Sequence, residues 1–567
     1  MQAMKTMKKF LSMAALVLVG AVMMSCSSED ELQAPTPQQP VNEDNVVTLT
    51  TTVGLSEGST DGASRRALAA DGTKTFAEGD QIAVIYTNTS DQTVKVLSEA
   101  LPAGDYGKNA TFTVTLTNPK ASGAVRYIYP AAMAATTVET SSEVNADANV
   151  KYSALATQNG TLATLASTLD LAIFDGSLTA GAALPASATM ENQLAILACT
   201  LKNEAGSSEI TGSVTRLMVN DGTYTYYVDR SAAAGPIYVA IRPTADATIN
   251  ITAKTSTGYH VKTLTGKTYA KNNGYNVSWR MTELPEGALP GKFTINAGGS
   301  QVRFSKGNLQ AVFASAGSSR TWQFATNQWD YIGSAAANTS INGSGSVSVA
   351  GTVDLFGWVG TSSSSYNNYG IWNNTTANSY GNTKNESLKN DWGHNAITNG
   401  GNTADMWRTL TREEWGYMLS TRSGATVKGS NNVRFAKATI RTDATGVKGL
   451  LLFPDGVTFD ASEASWGVLD DGYENYTTTC TAAQWTALEA KGCVFLPAAG
   501  NRTGTTVSDA GNAGAYWTAT GSDSKASDTY PYSYRVYFGQ TSWGNPQYYS
   551  QQQKTYGHSV RLVRAVE

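Results

Sequence analysis

The sequence has few of the residues that build metal centres, disulfide scaffolds and nucleic-acid surfaces. Its 567 residues include four cysteines and three histidines, and His260, His394 and His558 are too widely separated for metal-ligand spacing. Charged residues make up only 15%, the formal net charge is −4, and lysine and arginine form no long run. These absences argue against a disulfide scaffold and against a nucleic-acid partner.

Groups of residues that could form a catalytic site are equally scarce. Glu413 and Glu414 would project about 100° apart on a helix, so they cannot flank one substrate. Cys480 and Cys493 flank a predicted helix of about ten residues, whose rise of about 1.5 Å per residue keeps them too far apart for a disulfide. We expect these two and Cys199 to be buried small side chains, and we expect no enzyme and no cofactor. Calcium stays an open alternative, although no EF-hand loop is present.

The first residues are typical of an export signal. Lysines precede an apolar run over residues 10–24, which is short for a membrane-spanning helix and predicts a signal peptide over residues 1–25. The stretch Met23-Met24-Ser25-Cys26 resembles a bacterial lipobox. The resemblance implies lipid attachment at Cys26 and, with the acidic residues that follow, the outer face of a Gram-negative cell. The proline- and glutamine-rich residues 26–45 predict a tether.

The remaining chain is predicted to be mainly β, in two halves. Alternating apolar and polar residues, as in Phe112, Val114 and Leu116, predict antiparallel β-sandwiches over residues 46–178 and 179–284. Eleven of the twelve tryptophans follow residue 284, so we expect a linker over residues 285–291 and an α+β domain over residues 292–567. Thr411 with Glu414, and Thr481 with Gln484, predict two helices that begin with capping boxes.

The front half carries a moderately specific motif. Phe76-Ala-Glu-Gly79-Asp80-Gln-Ile82-Ala-Val84 and Tyr129-Pro130-Ala131 resemble the fimbrillin family over residues 46–285. The resemblance implies a pilin subunit that assembles with other pilin subunits by strand exchange after a trypsin-like protease removes its first strand. Residues 46–53 match that strand, and Arg65 and Arg66 match the processing site, with Ala67 as the new N-terminus.

The back half resembles a paralogous family of secreted domains with a C-type-lectin-like fold. The resemblance covers residues 290–567 and rests on motifs in family order, including Asp354-Leu-Phe-Gly-Trp358, Asp391-Trp-Gly-His-Asn395, Phe495-Leu-Pro-Ala-Ala-Gly500 and Gly557-His-Ser-Val-Arg-Leu-Val-Arg564. It implies that the terminal strand pairs near the domain entrance and that the segment before it is displayed on the opposite surface.

The displayed segment, residues 521–556, is dominated by tyrosine, serine, glutamine and asparagine. Tyrosine and tryptophan give stiff amphipathic contact area and the small polar residues give adaptable hydrogen bonds, as in antibody paratopes. The composition also resembles the variable regions rewritten by diversity-generating retroelements. Strand alternation over 532–538 predicts that Val536, Phe538 and Tyr534 point inward. The candidate ligand-binding residues are Tyr530, Tyr532, Arg535, Tyr537, Gln540, Ser542, Trp543, Asn545, Gln547, Tyr548 and Tyr549.

Together these features predict an adhesin of the outer membrane surface or the fimbrium tip, with a host or bacterial surface protein or glycan as its ligand. Two alternatives stay open. One is a structural pilus cap or stalk component that binds no ligand. The other is a glycan-processing enzyme, for which the sequence shows neither an acid pair nor a nucleophile.

Overall fold

The computed structural model describes residues 45–55, 75–104, 106–135, 149–179, 181–341, 347–358, 391–471, 475–522, 532–539 and 546–566. Residues 46–567 form one compact unit. Several predicted site residues lie outside the described residues, namely Cys26, Arg65, Arg66, Tyr530, Gln540, Ser542, Trp543 and Asn545.

The described chain is mainly β, which confirms the predicted fold class. The strands of the first half are β1 (Val46–Leu55), β2 (Ala83–Thr87), β3 (Thr93–Leu97), β4 (Asn109–Thr117), β5 (Gly123–Tyr129), β6 (Thr157–Gln158), β7 (Ala172–Leu178), β8 (Ser187–Asn192), β9 (Ala195–Lys202), β10 (Arg216–Asn220), β11 (Thr225–Asp229), β12 (Ile237–Ile241), β13 (Thr244–Lys254), β14 (Tyr259–Tyr269), β15 (Asn273–Arg280) and β16 (Thr282–Glu283).

The first seven-stranded sheet has the order β3-β2-β5-β7-β8-β1-β4. Its strands alternate as predicted, and Phe112, Val114 and Leu116 of β4 are fully buried. Phe112 from one end of the sheet and Val84 from the other belong to the same hydrophobic core, so the sheet folds over on itself. The boundary expected at residue 178 is wrong, because β8 pairs with both β1 and β7 and carries the first sheet to Asn192.

The second sandwich places a six-stranded sheet, β16-β14-β13-β10-β11-β6, against a three-stranded sheet, β12-β9-β15. Apolar side chains from both sheets fill one core, among them Leu197, Leu217, Val239 and Ile251. The short strand β6 comes from the chain before residue 178 and pairs in parallel with β11. The two front units are therefore interleaved along the chain rather than strictly consecutive.

The C-terminal region, residues 285–566, is built from short sheets. Its strands are β17 (Phe293–Thr294), β18 (Gln301–Phe304), β19 (Leu309–Phe313), β20 (Arg320–Phe324), β21 (Gly351–Val353), β22 (Arg408–Thr409), β23 (Ala425–Val427), β24 (Ser430–Val433), β25 (Phe435–Arg441), β26 (Val447–Leu452), β27 (Thr458–Phe459), β28 (Thr478–Thr481), β29 (Val494–Pro497), β30 (Asn501–Thr503), β31 (Thr506–Ser508), β32 (Gly514–Gly521), β33 (Tyr532–Phe538), β34 (Gln547–Gln553) and β35 (Leu562–Ala565). The terminal strand β35 pairs with β18. Strand β18 follows shortly after residues 285–291, where the chain enters this region.

The helices are few and short. They are α1 (Leu162–Thr164), α2 (Ala336–Thr339), α3 (Arg412–Ser420) and α4 (Ala482–Ala490), with single 3-10 turns at Ala131–Met133, Tyr152–Ala156, Thr211–Ser213 and Trp392–His394 and a π turn at Leu165–Leu169. Both predicted capping boxes are confirmed: Thr411 and Glu414 begin α3, and Thr481 and Gln484 begin α4. Gly492 follows α4 with φ +99°, the left-handed conformation expected there.

The segment expected to be a linker, residues 285–291, is packed rather than extended, because Ala288 and Leu289 are buried. Tyr259 of the second sandwich shares a core with Trp415 of α3. Polar contacts reinforce this interface: Glu489 of α4 accepts hydrogen bonds from Lys254 at 2.9 Å and Tyr259 at 2.8 Å. The C-terminal region is therefore held firmly against the second sandwich.

Candidate functional site

The predicted display segment forms the last sheet of the C-terminal region, with the strand order β32-β33-β34. We call it the display sheet. Burial falls across it: seven of the eight residues of β32 are buried, β33 is mixed, and none of the seven residues of β34 is buried. The outer strand β34 reads Gln-Tyr-Tyr-Ser-Gln-Gln-Gln, so it presents polar and aromatic side chains without an aliphatic residue.

One face of the display sheet packs against helix α3. Val536 and Phe538 are buried in the core that contains Trp415, which confirms their predicted inward orientation. Tyr534 also lies on this side, since the guanidinium carbon of Arg412, the first residue of α3, sits 4.5 Å from the centre of its ring.

Tyr548 also belongs to the packed face, which corrects its expected place in the ligand-binding surface. Its ring lies so close to Gly416 of α3 that a Cβ at that glycine would stand 2.6 Å from Cε2 of the tyrosine. Gln547 pairs with the outward-facing Tyr537, so alternation along β34 points the next residue, Tyr548, toward α3. A β-bulge follows, because Arg535 pairs with Ser550 and β34 therefore has one extra residue here.

The opposite face carries Arg535 and Tyr537, as the strand alternation predicts. The guanidinium carbon of Arg535 lies 4.6 Å from the centre of the Tyr537 ring. Nε of Arg535 donates to the Ser550 hydroxyl at 3.2 Å, and Nη1 lies 3.3 Å from Nε2 of His558. Arg535 is thus on the predicted outward face, half-buried and in contact with Ser550 and His558.

Electrostatics on this face follow from burial. Burial lowers the pKa of Arg535 to about 10, which leaves its guanidinium charged at neutral pH. Burial, and then the nearby Arg535 cation, lower the pKa of His558 well below its ordinary value, so this imidazole is neutral. His558 packs on Trp517, with ring centres 4.3 Å apart. The Arg535–His558 pair therefore carries one positive charge, on Arg535, at this face of the display sheet.

The remaining described candidates lie on the accessible part of the sheet. Tyr532 and Gln547 are half-buried, and Tyr549 is 60% exposed with its ring set edge-on to Tyr548 at 5.4 Å. The predicted candidate residues end at Tyr549, whereas β34 continues with partly exposed side chains through Gln553. The unbroken glutamine run 551–553 was the available signal, since it extends the strand without apolar alternation.

The glutamates and cysteines that were candidates for catalysis are either hydrogen-bonded to other residues or buried. Glu414 closes the capping box of α3 and accepts two hydrogen bonds from Arg408 at 2.7 Å each. Glu413 accepts from Arg412 at 2.9 Å. Cys199, Cys480 and Cys493 are free thiols and buried, as expected, and burial raises the pKa of each.

The described residues contain neither a metal-binding cluster nor a membrane-spanning helix. In that part of the chain, no group of three or more His, Cys, Asp or Glu side chains is arranged to hold a metal ion. No helix formed by the same residues is long and apolar enough to cross a membrane.

Comparisons with known proteins identify similar structures only. No protein-family model and no curated protein matches the chain. A fimbrial assembly protein from Parabacteroides distasonis is 10% identical, with a TM-score of 0.25, over 46% of this chain and 96% of its own. The tip fimbrial protein Mfa3 from Porphyromonas gingivalis, truncated at its C-terminus, is 8% identical, with a TM-score of 0.21, over 42% of this chain and 96% of its own. Solved structures similar to this chain thus include fimbrial proteins, at a likeness too low to carry a function.

Proposed function

We propose that this protein is a cell-surface adhesin whose display sheet binds a surface protein or glycan. The observation that carries the proposal is strand β34, in which all seven Tyr, Gln and Ser side chains are at least partly exposed. A strand that covers a core alternates buried and exposed residues, and β34 does not. Its aromatic rings supply contact area at low entropic cost, and its amides supply hydrogen bonds to a polar ligand.

The display sheet is also rigid enough to preorganise such a surface. Strand β32 is almost fully buried, and Trp517 of this strand donates from its indole nitrogen to the Phe356 carbonyl at 2.6 Å. Helix α3 packs against the reverse face through Gly416 and Tyr548. A binding surface held by strands and a packed helix loses little conformational entropy when a ligand is bound.

The front half supports assembly by strand exchange. Strand β1 lies between β4 and β8, antiparallel to the first and parallel to the second. In the described sheet β4 pairs only with β1, and Val53 and Leu55 of β1 are buried. Loss of β1 would expose two rows of unpaired backbone groups and an apolar slot, which a strand from another subunit can fill.

Cleavage after Arg66 would release β1, because Arg65 and Arg66 follow it in the sequence and precede Phe76 of the same core. Lipid at Cys26 would hold the exported chain at the outer membrane until assembly, and an assembled copy would lie at the fimbrium, with its tip as the proposed place. N-terminal sequencing of the surface-assembled protein tests this step. Ala67 as first residue supports it, and an intact Val46 in assembled material contradicts it.

The ligand-binding proposal is tested with the full chain on arrays of glycans and cell-surface proteins. The C-terminal region shares a core with the second sandwich, so it is not separated for this experiment. The face variant changes Tyr532, Tyr537 and Tyr549 to Ser. A matched control changes three half-buried tyrosines of the front half to Ser, namely Tyr106, Tyr238 and Tyr275.

Binding that the face variant loses and the control retains supports the adhesin. A folded wild-type chain that binds nothing on either array favours the structural cap. Turnover of any arrayed glycan would instead favour the enzyme.

A further inference from the structure

A cleft of about 370 Å³ lies where the second sandwich meets the C-terminal region. One wall comes from β10, β13 and β14 and includes Asn220 and Lys262. The other wall comes from residues 290–292 and from the chain around β18 and β27, and it includes Lys292, Arg303 and Asp455. We call it the interdomain cleft. Its volume falls within the range of about 300–1,000 Å³ that is usual for small-ligand sites, which favour domain interfaces.

The cleft is lined by more positive than negative side chains. Its cations are Lys262, Lys292, Arg303 and Lys491, and its carboxylates are Asp455 and Asp460. The excess of positive charge is larger than these two sets suggest, because the Asp455 carboxylate is already neutralised by a residue outside the cleft. Its carboxylate accepts from Arg422 at 2.6 Å, from the Thr294 backbone and hydroxyl at 2.7 Å each, and from Gln301 at 3.2 Å.

Arg303 is the most informative of the four cations. It is 7% exposed, and its side chain donates hydrogen bonds from Nη1 to the carbonyls of Leu289 and Pro290. No carboxylate among the described residues forms an ion pair with it. A guanidinium has five N–H donors, and a buried one is normally matched by an anion. Here Nε and Nη2 have no acceptor among the described residues and are not fully buried, so they remain accessible to a ligand.

Lys262 and Lys292 add two charges to the same cleft. Lys262 is half-buried and Lys292 is exposed, and neither forms an ion pair or side-chain hydrogen bond with the described residues. Lys491, by contrast, is paired with Glu463 at 2.7 Å. Three unpaired cations around a concave surface with low-dielectric walls concentrate positive potential there.

The uncharged residues that line the cleft indicate which chemical class of ligand it binds. The polar residues Asn220, Thr223, Asn250 and Thr252 line the same cleft, with Met218 as an apolar contact. Amide and hydroxyl groups pair well with sugar hydroxyls, and an arginine fork pairs with a carboxylate through two parallel hydrogen bonds. We infer that the interdomain cleft binds a short acidic saccharide, with the carboxylate of a uronic acid on Arg303, Lys262 and Lys292. This site is separate from the display sheet.

Isothermal titration calorimetry of the full chain with digalacturonate tests the inference, with its dimethyl ester as the neutral probe of matched shape. The wild type should bind the acid at least about tenfold more tightly than the ester. The double variant Lys262→Gln/Lys292→Gln should weaken acid binding by at least about tenfold. Lys267→Gln, on the same strand β14 but outside the cleft, should leave affinity within about twofold.

Because Lys262 and Lys292 are not buried, the double variant should keep the wild-type melting temperature, which separates loss of binding from loss of fold. Equal affinity for acid and ester would overturn the inference, as would no heat of binding from folded wild type with digalacturonate at millimolar concentration. Complete displacement of the saccharide by equimolar inorganic sulfate would also overturn it, because it would show a site for an anion without the sugar.

Discussion

The hydrogen bonds of Glu489 join the second sandwich to the C-terminal region, and they give a quantitative prediction. The Glu489 carboxylate accepts from Lys254 at 2.9 Å, Tyr259 at 2.8 Å and Gln328 at 3.1 Å, and its side chain is 13% exposed. The change Glu489→Ala leaves these three donors without their acceptor. Unmatched buried donors cost about 1–3 kcal/mol each, but Lys254 is 36% exposed and regains water, and Gln328 still donates to the Cys493 carbonyl at 3.2 Å, so we expect a total of about 2–3 kcal/mol.

Unfolding in guanidinium chloride measures this loss, and tryptophan fluorescence is a suitable probe because eleven of twelve tryptophans follow residue 284. The matched control is Glu191→Ala. Glu191 pairs with Lys271 at 3.0 Å, and their side chains are 63% and 52% exposed, so the control should cost less than about 0.5 kcal/mol. Equal midpoints for the two variants would refute the argument that Glu489 fastens the interface.

The same residue gives a pH dependence. Burial alone would raise the pKa of Glu489, but the Lys254 cation and the hydrogen bonds from Gln328 and Tyr259 outweigh it and lower the pKa below its ordinary 4.5. The folded state therefore takes up this proton less readily than the unfolded state. The stabilisation is fully present above about pH 4.5 and is lost as the pH falls through the lower folded value. The stability gap between wild type and Glu489→Gln should narrow in acid; a widening gap would contradict the sign.

Further changes test the packing of the individual units. Gly416→Ala should destabilise by about 1–3 kcal/mol and speed hydrogen exchange in β34, because the new Cβ overlaps Tyr548, whereas Gly107→Ala meets nothing within 4 Å and should be near neutral in thermal unfolding. Thr481→Ala removes the cap of α4 and should cost about 1 kcal/mol in denaturant unfolding; no loss would contradict the capping box. Phe112→Ala should cost about 3–5 kcal/mol, seen as faster proteolysis of the first sheet, since its ring is fully buried.

Local features could be predicted from the sequence because their causes are local. A capping box needs only Thr411 and Glu414, three residues apart, and the helix begins where the pair predicts. Strand alternation in β4 depends only on the period of the chain, so its buried face was predicted correctly. These signals also fixed the inward orientation of Val536 and Phe538.

The pairing of distant strands could not be predicted in the same way. Strand β8 joins β1 in parallel, and the two strands are more than a hundred residues apart, so no local pattern marks the boundary between the front units. The packing of residues 285–291 was missed for a related reason, since Ala288 and Leu289 are buried by partners far along the chain. The interdomain cleft depends on both of these arrangements.

The position of the display sheet was predicted more accurately than the orientation of its individual side chains. The sequence of β34 alone cannot show that Gln547 pairs with Tyr537, and this register turns Tyr548 toward α3 while Tyr549 stays exposed. Arg535 lies on the outward face as predicted, but alternation could not show that Ser550 and His558 contact its guanidinium. The residues that best represent the face are therefore Tyr532, Tyr537 and Tyr549.

The most direct test of the adhesin proposal is hydrogen–deuterium exchange of the full chain with and without the molecule that it binds most strongly on the arrays. The proposal predicts slowed exchange in peptides covering β33 and β34, with no change in β10, β13 and β14 of the interdomain cleft. Protection confined to those three strands, or to the front half, with β34 unchanged, would contradict a ligand-binding role for the display sheet.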